Sequence, residues 1–66
     1  MSIGKRLSTR IRALIKTRKT TAEKVAYESG VSKSYLSAVL RCKKSPTLRI
    51  LDRLAKTLEV DVKELL

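Results

Sequence analysis

The side chains able to do chemistry in this sequence are overwhelmingly cations. Sixteen Lys and Arg stand against six Asp and Glu, a formal net charge of +10 over 66 residues. Histidine is absent, which excludes His-based triads and His-containing zinc sites. The carboxylates are scattered, and no two form an obvious acid–base or metal pair. Cys42 is the single cysteine, so no internal disulfide can form. Lying between Arg41 and Lys43, it fits either a redox-sensing thiol or a passive loop cysteine. No catalytic constellation results, so an enzyme is not expected, and nothing calls for a metal, a cofactor or a small-molecule ligand. Charge of this sign and density points to a polyanionic partner. Nucleic acid ranks first and an anionic membrane surface second; a merely basic, solvated surface is the bland alternative.

The elements that must present these cations centre on residues 21–41, TAEKVAYESGVSKSYLSAVLR. Val25, Ala26 and Ser29 supply a small apolar face at helical spacing, and Tyr35, Leu36, Val39 and Leu40 supply a second. Gly30 lies between them, where a left-handed residue can stop the first helix. Thr21 and Ser32 are the expected N-caps, each with a hydroxyl able to accept from an unpaired helix amide, and Glu23 sits in the first turn, where a carboxylate suits the helix dipole. Two helices joined by a tight Gly-containing turn make a helix-turn-helix, whose second helix can lie in the major groove of DNA.

The flanking elements read as support. Residues 2–19 are expected to form a first helix, with Ser2 as a plausible cap. Ile3, Leu7, Ile11, Leu14 and Ile15 give it an apolar stripe among Lys5, Arg6, Arg10, Arg12, Lys16 and Arg18. Alone this segment could lie on a membrane, but the apolar patterns that follow need a partner to pack against. Residues 42–46, CKKSP, are a basic loop that Pro46 closes. Thr47 caps a fourth helix with Leu48, Leu51, Leu54, Ala55 and Leu58 on its apolar face and Ile50 beside it. Val60 continues the core. Asp61 opens a short fifth helix, with Glu64 as its capping-box partner.

The chain is 42% hydrophobic, with Tyr27 and Tyr35 as its aromatics. Its core must therefore be a single Leu, Ile and Val cluster, and residues 1–66 read as one all-α domain of five helices. No signal peptide is evident, and no apolar run approaches the ~20 residues that span a bilayer. A cytoplasmic protein, nucleoid-associated when bound to DNA, is the expectation.

From Ile11 to Leu66 the sequence resembles the helix-turn-helix family of phage lambda-type repressors, Cro proteins and their bacterial relatives, the XRE family. The resemblance rests on TAEKVAYESGVSKSYLSAVLR, SPTLRILDRLAKTLEV and DVKELL. It is carried by the spacing of Ala26, Gly30, Val31, Leu36, Val39, Pro46, Leu48, Leu54, Ala55, Leu58, Val60 and Leu65. It implies a compact five-helix lambda repressor-like fold and sequence-specific operator binding as a dimer. Several positions depart from the family. Ala22 replaces a frequent Gln that helps to hold a phosphate and the first recognition residue; that contact is lost, although the helix-two amides can still meet a phosphate. Lys19, Cys42 and Glu59 stand where members often carry Gly; at Cys42 a positive φ would be strained, so the loop is expected to begin differently. Ile15 and Leu40 replace a frequent Arg–Glu pair, and an apolar contact is expected in its stead.

The resemblance also implies the contact positions. Lys33, Ser34, Ser37 and Ala38 become the base contacts, and their chemistry suits the role. Lys33 can donate to guanine O6 or N7, the two serines can donate or accept, and Ala38 suits a thymine methyl. A capped, solvated first turn is the alternative for Lys33 and Ser34. The phosphate contacts become Thr21, Arg41, Lys43, Lys44 and Arg49. Tyr35 joins them or else covers the junction of helices two and three. Arg10, Lys16, Arg18 and Lys19 are weaker candidates, because a basic solvated helix face is ordinary. Val62, Leu65 and Leu66 can form a small dimer patch, unless Val62 and Leu65 seal the monomer core.

A homodimeric transcriptional regulator on double-stranded DNA is thus the first reading, whether a phage or plasmid repressor, a Cro-like protein or the controller of a restriction-modification system. An antitoxin, which binds a toxin and also its own operator, is the alternative. A nonspecific polyanion or membrane binder driven by helix one is the third.

Overall fold

Thr21, Ser32 and Thr47 each begin a helix in the way their hydroxyls suggest. In the computed structural model, which describes the backbone of residues 3–66 and the side chains of residues 4–66, Thr21 Oγ1 accepts from the Lys24 amide at 3.1 Å. Ser32 Oγ accepts from Tyr35 at 3.0 Å and Thr47 Oγ1 from Ile50 at 3.2 Å. The helices so started are α2 (Ala22–Ser29), α3 (Lys33–Leu40) and α4 (Leu48–Thr57), preceded by α1 (Ile3–Thr17). The Ser2 cap and the side chain of Ile3 lie outside the described residues. The expected fifth helix is a single 3₁₀ turn, Val62–Glu64. Glu64 Oε2 accepts from the Asp61 amide at 3.0 Å, the expected return half of a capping box.

All four α-helices end alike. Each runs into a left-handed residue: Lys19 at φ 54°, Gly30 at 75°, Cys42 at 61° and Glu59 at 58°. At each end the next amide reaches back to the carbonyl five residues earlier, as in Thr20 to Ile15 at 3.1 Å and Lys43 to Ala38 at 2.8 Å. This is the Schellman arrangement, which satisfies orphan carbonyls of the last turn. The expectation that the loop would begin differently at Cys42 is therefore corrected. The chain keeps the turn and accepts a Cβ in the left-handed region, at about 1–2 kcal/mol per residue. Cys42→Gly is expected to stabilise the fold by about 0.5–1 kcal/mol, since glycine removes that clash but adds unfolded-state entropy. A melting midpoint about 2–8 °C higher would show it; an unchanged or lower midpoint would mean that the turn is relaxed as it stands.

α2 lies against α1, α3 and α4, while α1 also packs on α3 and the 3₁₀ turn closes α4. The core is Leu7, Ile11, Val25, Ala26, Val31, Leu36, Val39, Leu40, Leu51, Leu54, Ala55, Leu58 and Leu65, aliphatic throughout as the composition required. Ile15 and Leu40 both join it, Leu40 buried and Ile15 half-buried. Ser29 is buried because its hydroxyl donates to the Val25 carbonyl at 2.7 Å. Two apolar assignments are corrected. Leu48, placed on the core face of α4, is 71% exposed, because it is the first residue of the helix and projects beyond the packed turn. Leu65, placed in the dimer patch, is 0% exposed and belongs to the monomer core.

Candidate nucleic-acid interface

Burial of Leu36, Val39 and Leu40 turns the rest of α3 outward. Lys33 and Ser34 are exposed in its first turn, and Ser37 and Ala38 are half-exposed one turn later. Lys33, Ser37 and Arg41 recur every four residues and form one stripe. They line a cleft of about 300 Å³ with Arg12 of α1 and with Ala22 and Glu23, the first two residues of α2. The first turns of α2 and α3 thus share one surface, on which Arg12, Lys33 and Arg41 outnumber Glu23.

The end of α3 is held by α1. Ser8, itself 5% exposed, donates through Oγ to the Leu40 carbonyl at 2.5 Å. Arg12 Nη2 donates to the same oxygen at 3.2 Å, and its Nε reaches Ser8 Oγ at 3.4 Å. Leu40 is the last residue of α3, so a hydroxyl and a guanidinium satisfy an orphan carbonyl at the negative end of the helix. Immediately beyond that fixed point the chain presents Arg41, Lys43 and Lys44, all exposed. Ser8 and Arg12 are positioning residues that the sequence did not reveal. Arg12 reads as one more cation beside the apolar stripe of α1, and the acceptor that it shares with Ser8 lies on another helix.

The remaining candidates separate into groups. Arg49, at the start of α4, is exposed. Thr21 Oγ1 is engaged as an acceptor by its cap and keeps its proton to donate. Tyr35 is half-buried against the core, and the Lys44 ammonium sits 5.3 Å from its ring centroid, a cation–π arrangement that ties the basic loop to α3. Arg10 and Arg18 have other partners. Arg10 Nη1 donates to the Glu64 carbonyl at 2.9 Å, and Arg18 pairs with Glu59 at 3.3 Å, so both join α1 to the end of the chain. Of the dimer candidates, Val62 is half-buried and Leu66 is 44% exposed. Lys33 is paired as well: its ammonium lies 3.2 Å from Glu23 Oε2. Nothing in the local pattern signals this contact, because it bridges two helices across the turn at Gly30.

Comparisons with known proteins agree with this arrangement. A model of the helix-turn-helix family matches residues 11–65. Among solved structures, the restriction-modification controller protein C.AhdI from Aeromonas hydrophila is 27% identical and superposes with a TM-score of 0.91, with 96% of each chain covered. An HTH_3 family transcriptional regulator from Vibrio cholerae is also 27% identical, at a TM-score of 0.88; the match covers 96% of this chain and 35% of that one. The clp gene regulator ClgR from C. glutamicum shares the fold at 23% identity and a TM-score of 0.88, over 98% of this chain and 84% of that one. No curated protein matches significantly. No helix among the described residues is long and apolar enough to cross a membrane. With a family model spanning both helices of the motif and their supports, the chain belongs to the XRE-type helix-turn-helix family of DNA-binding transcription regulators.

Proposed function

We propose that the protein is a sequence-specific regulator that binds an inverted-repeat operator as a homodimer, inserting α3 into the major groove. The observation that carries this reading is the shared surface of Lys33, Ser37 and Arg41 with the start of α2, flanked by the basic loop. Lys33, Ser34, Ser37 and Ala38 are the base contacts. Thr21, Tyr35, Arg41, Lys43, Lys44 and Arg49 are the phosphate contacts. The chain measures 26 × 22 × 21 Å, less than the ~34 Å of one DNA turn, so a single copy spans one half-site and a second copy reads the other. Leu66, with the exposed part of Val62, offers the apolar surface for that pairing. The likeness to the controller protein C.AhdI, over 96% of each chain, supports a regulator reading.

Selection of bound sequences from a random duplex pool at about 0.15 M salt tests the reading. The expected winner is an inverted repeat with half-sites about one turn apart. An unenriched pool would leave only nonspecific polyanion binding and overturn it. On the selected site Lys33→Ala should relax the preference at one base pair per half-site, losing about 1–3 kcal/mol of discrimination there. A variant with an unaltered preference would remove Lys33 from the base-reading set.

A further inference from the structure

The ion pair between Lys33 and Glu23 has a role to explain. Lys33 is the first residue of α3 and Glu23 the second of α2, and their charged ends meet at 3.2 Å with side chains 73% and 71% exposed. An ion pair this exposed contributes little to folding. A lysine at the rim of a DNA-binding cleft has an easier partner than a base, since its flexible stem reaches any nearby phosphate and phosphates occur at every step of every sequence. A lysine spent that way reads nothing. Ala22 is too short to restrain it, and Glu23 is the neighbouring side chain that touches it.

We infer that Glu23 is a specificity-determining positioning residue, whose carboxylate holds the Lys33 ammonium at the head of α3 and keeps it from the DNA backbone. This rests on the proposed operator-binding reading. An ammonium has three N–H donors and can give one to Glu23 while offering the others to guanine O6 and N7. Contact with a base therefore keeps the ion pair, whereas a swing to a phosphate breaks it. The broken state leaves a carboxylate unpaired beside a polyanion, where repulsion disfavours it further. The carboxylate thus penalises binding to arbitrary DNA more than binding to the matching site.

The test compares the full chain with Glu23→Gln, Lys33→Met and the double variant, in pool selection and in titration of a random-sequence duplex at about 0.15 M salt. Glu23→Gln is expected to bind the random duplex about three- to fivefold more tightly and to lose preference at the base pair that Lys33→Met also loses. In the Lys33→Met background the Glu23 substitution should leave base preference unchanged, since its action on preference runs through the lysine; only the general gain from the lost carboxylate charge should remain. Both residues are exposed, and unchanged melting curves separate the effect from misfolding. An identical selected sequence and random-duplex affinity for Glu23→Gln would overturn the inference. So would a Glu23 effect on base preference that persists without Lys33, which would mean that the carboxylate meets a base itself. Failure of the unaltered protein to enrich any sequence would instead overturn the operator-binding reading, and this inference with it.

Discussion

Leu36→Ala is expected to destabilise the domain by roughly 3 kcal/mol and to abolish operator binding near its new melting range, although Leu36 reaches no DNA. The side chain is 1% exposed and lies on α3 between the two exposed turns that present Lys33, Ser34, Ser37 and Ala38. Truncating a fully buried leucine removes its transfer free energy and leaves a cavity, at about 2–5 kcal/mol. A domain of 66 residues holds only about 3–10 kcal/mol in total, so the loss is a large fraction of it. The melting midpoint should fall by about 12–24 °C. Leu48→Ser supplies the contrast. Leu48 is 71% exposed and its replacement should stay within about 0.5 kcal/mol of the parent. Comparable losses for the two would mean that the N-terminus of α4 is packed rather than free. A small loss for Leu36→Ala would mean that α3 is not anchored through its own core face.

Features set by neighbouring residues are legible in the sequence alone. A hydroxyl three residues before a needy amide makes a cap wherever it occurs, which is why Thr21, Ser32 and Thr47 identify themselves as helix starts. Helical periodicity also finds the buried face of α3, because Leu36, Val39 and Leu40 have nowhere else to go. The ends of helices are harder. Lys19, Cys42 and Glu59 take a backbone that residue type argues against, and the reason is the tertiary fold: each turn is held by paired amides and by the core residues on either side. The C-terminal leucines are ambiguous for a related reason. Leu65 and Leu66 are alike in sequence, and only the closure of the 3₁₀ turn onto α4 sends one inward and the other out. Least legible are the contacts that organise the candidate interface. Ser8 and Arg12 on the Leu40 carbonyl, and Glu23 on Lys33, join residues on different helices. The sequence already ranks Arg10 with Lys16, Arg18 and Lys19 as a weaker candidate, but not that its guanidinium is bound to the Glu64 carbonyl.

Between 50 and 200 mM salt, affinity for the selected operator is expected to fall about 10⁵-fold. Roughly five phosphates neutralised per subunit make ten per dimer, and each contributes about −0.9 to the slope of log K against log salt. The slope should therefore be near −9. Arg41, Lys43 and Lys44 carry much of it, because the Leu40 carbonyl fixes the point from which they project. Lys43→Ala removes one charge from each copy and should bring the dimer slope to about −7, weakening all sequences alike. Arg10→Gln removes the same charge from α1, where the guanidinium is committed to Glu64, and should leave the slope near −9. Equilibrium titration of a labelled operator at four or five salt concentrations checks all three proteins. If the slope drops for Arg10→Gln and not for Lys43→Ala, the DNA backbone runs along α1 and the basic loop faces solvent. A slope that is the same for all three would place the phosphates on neither, and Arg49 with the amides opening α2 would then have to carry them.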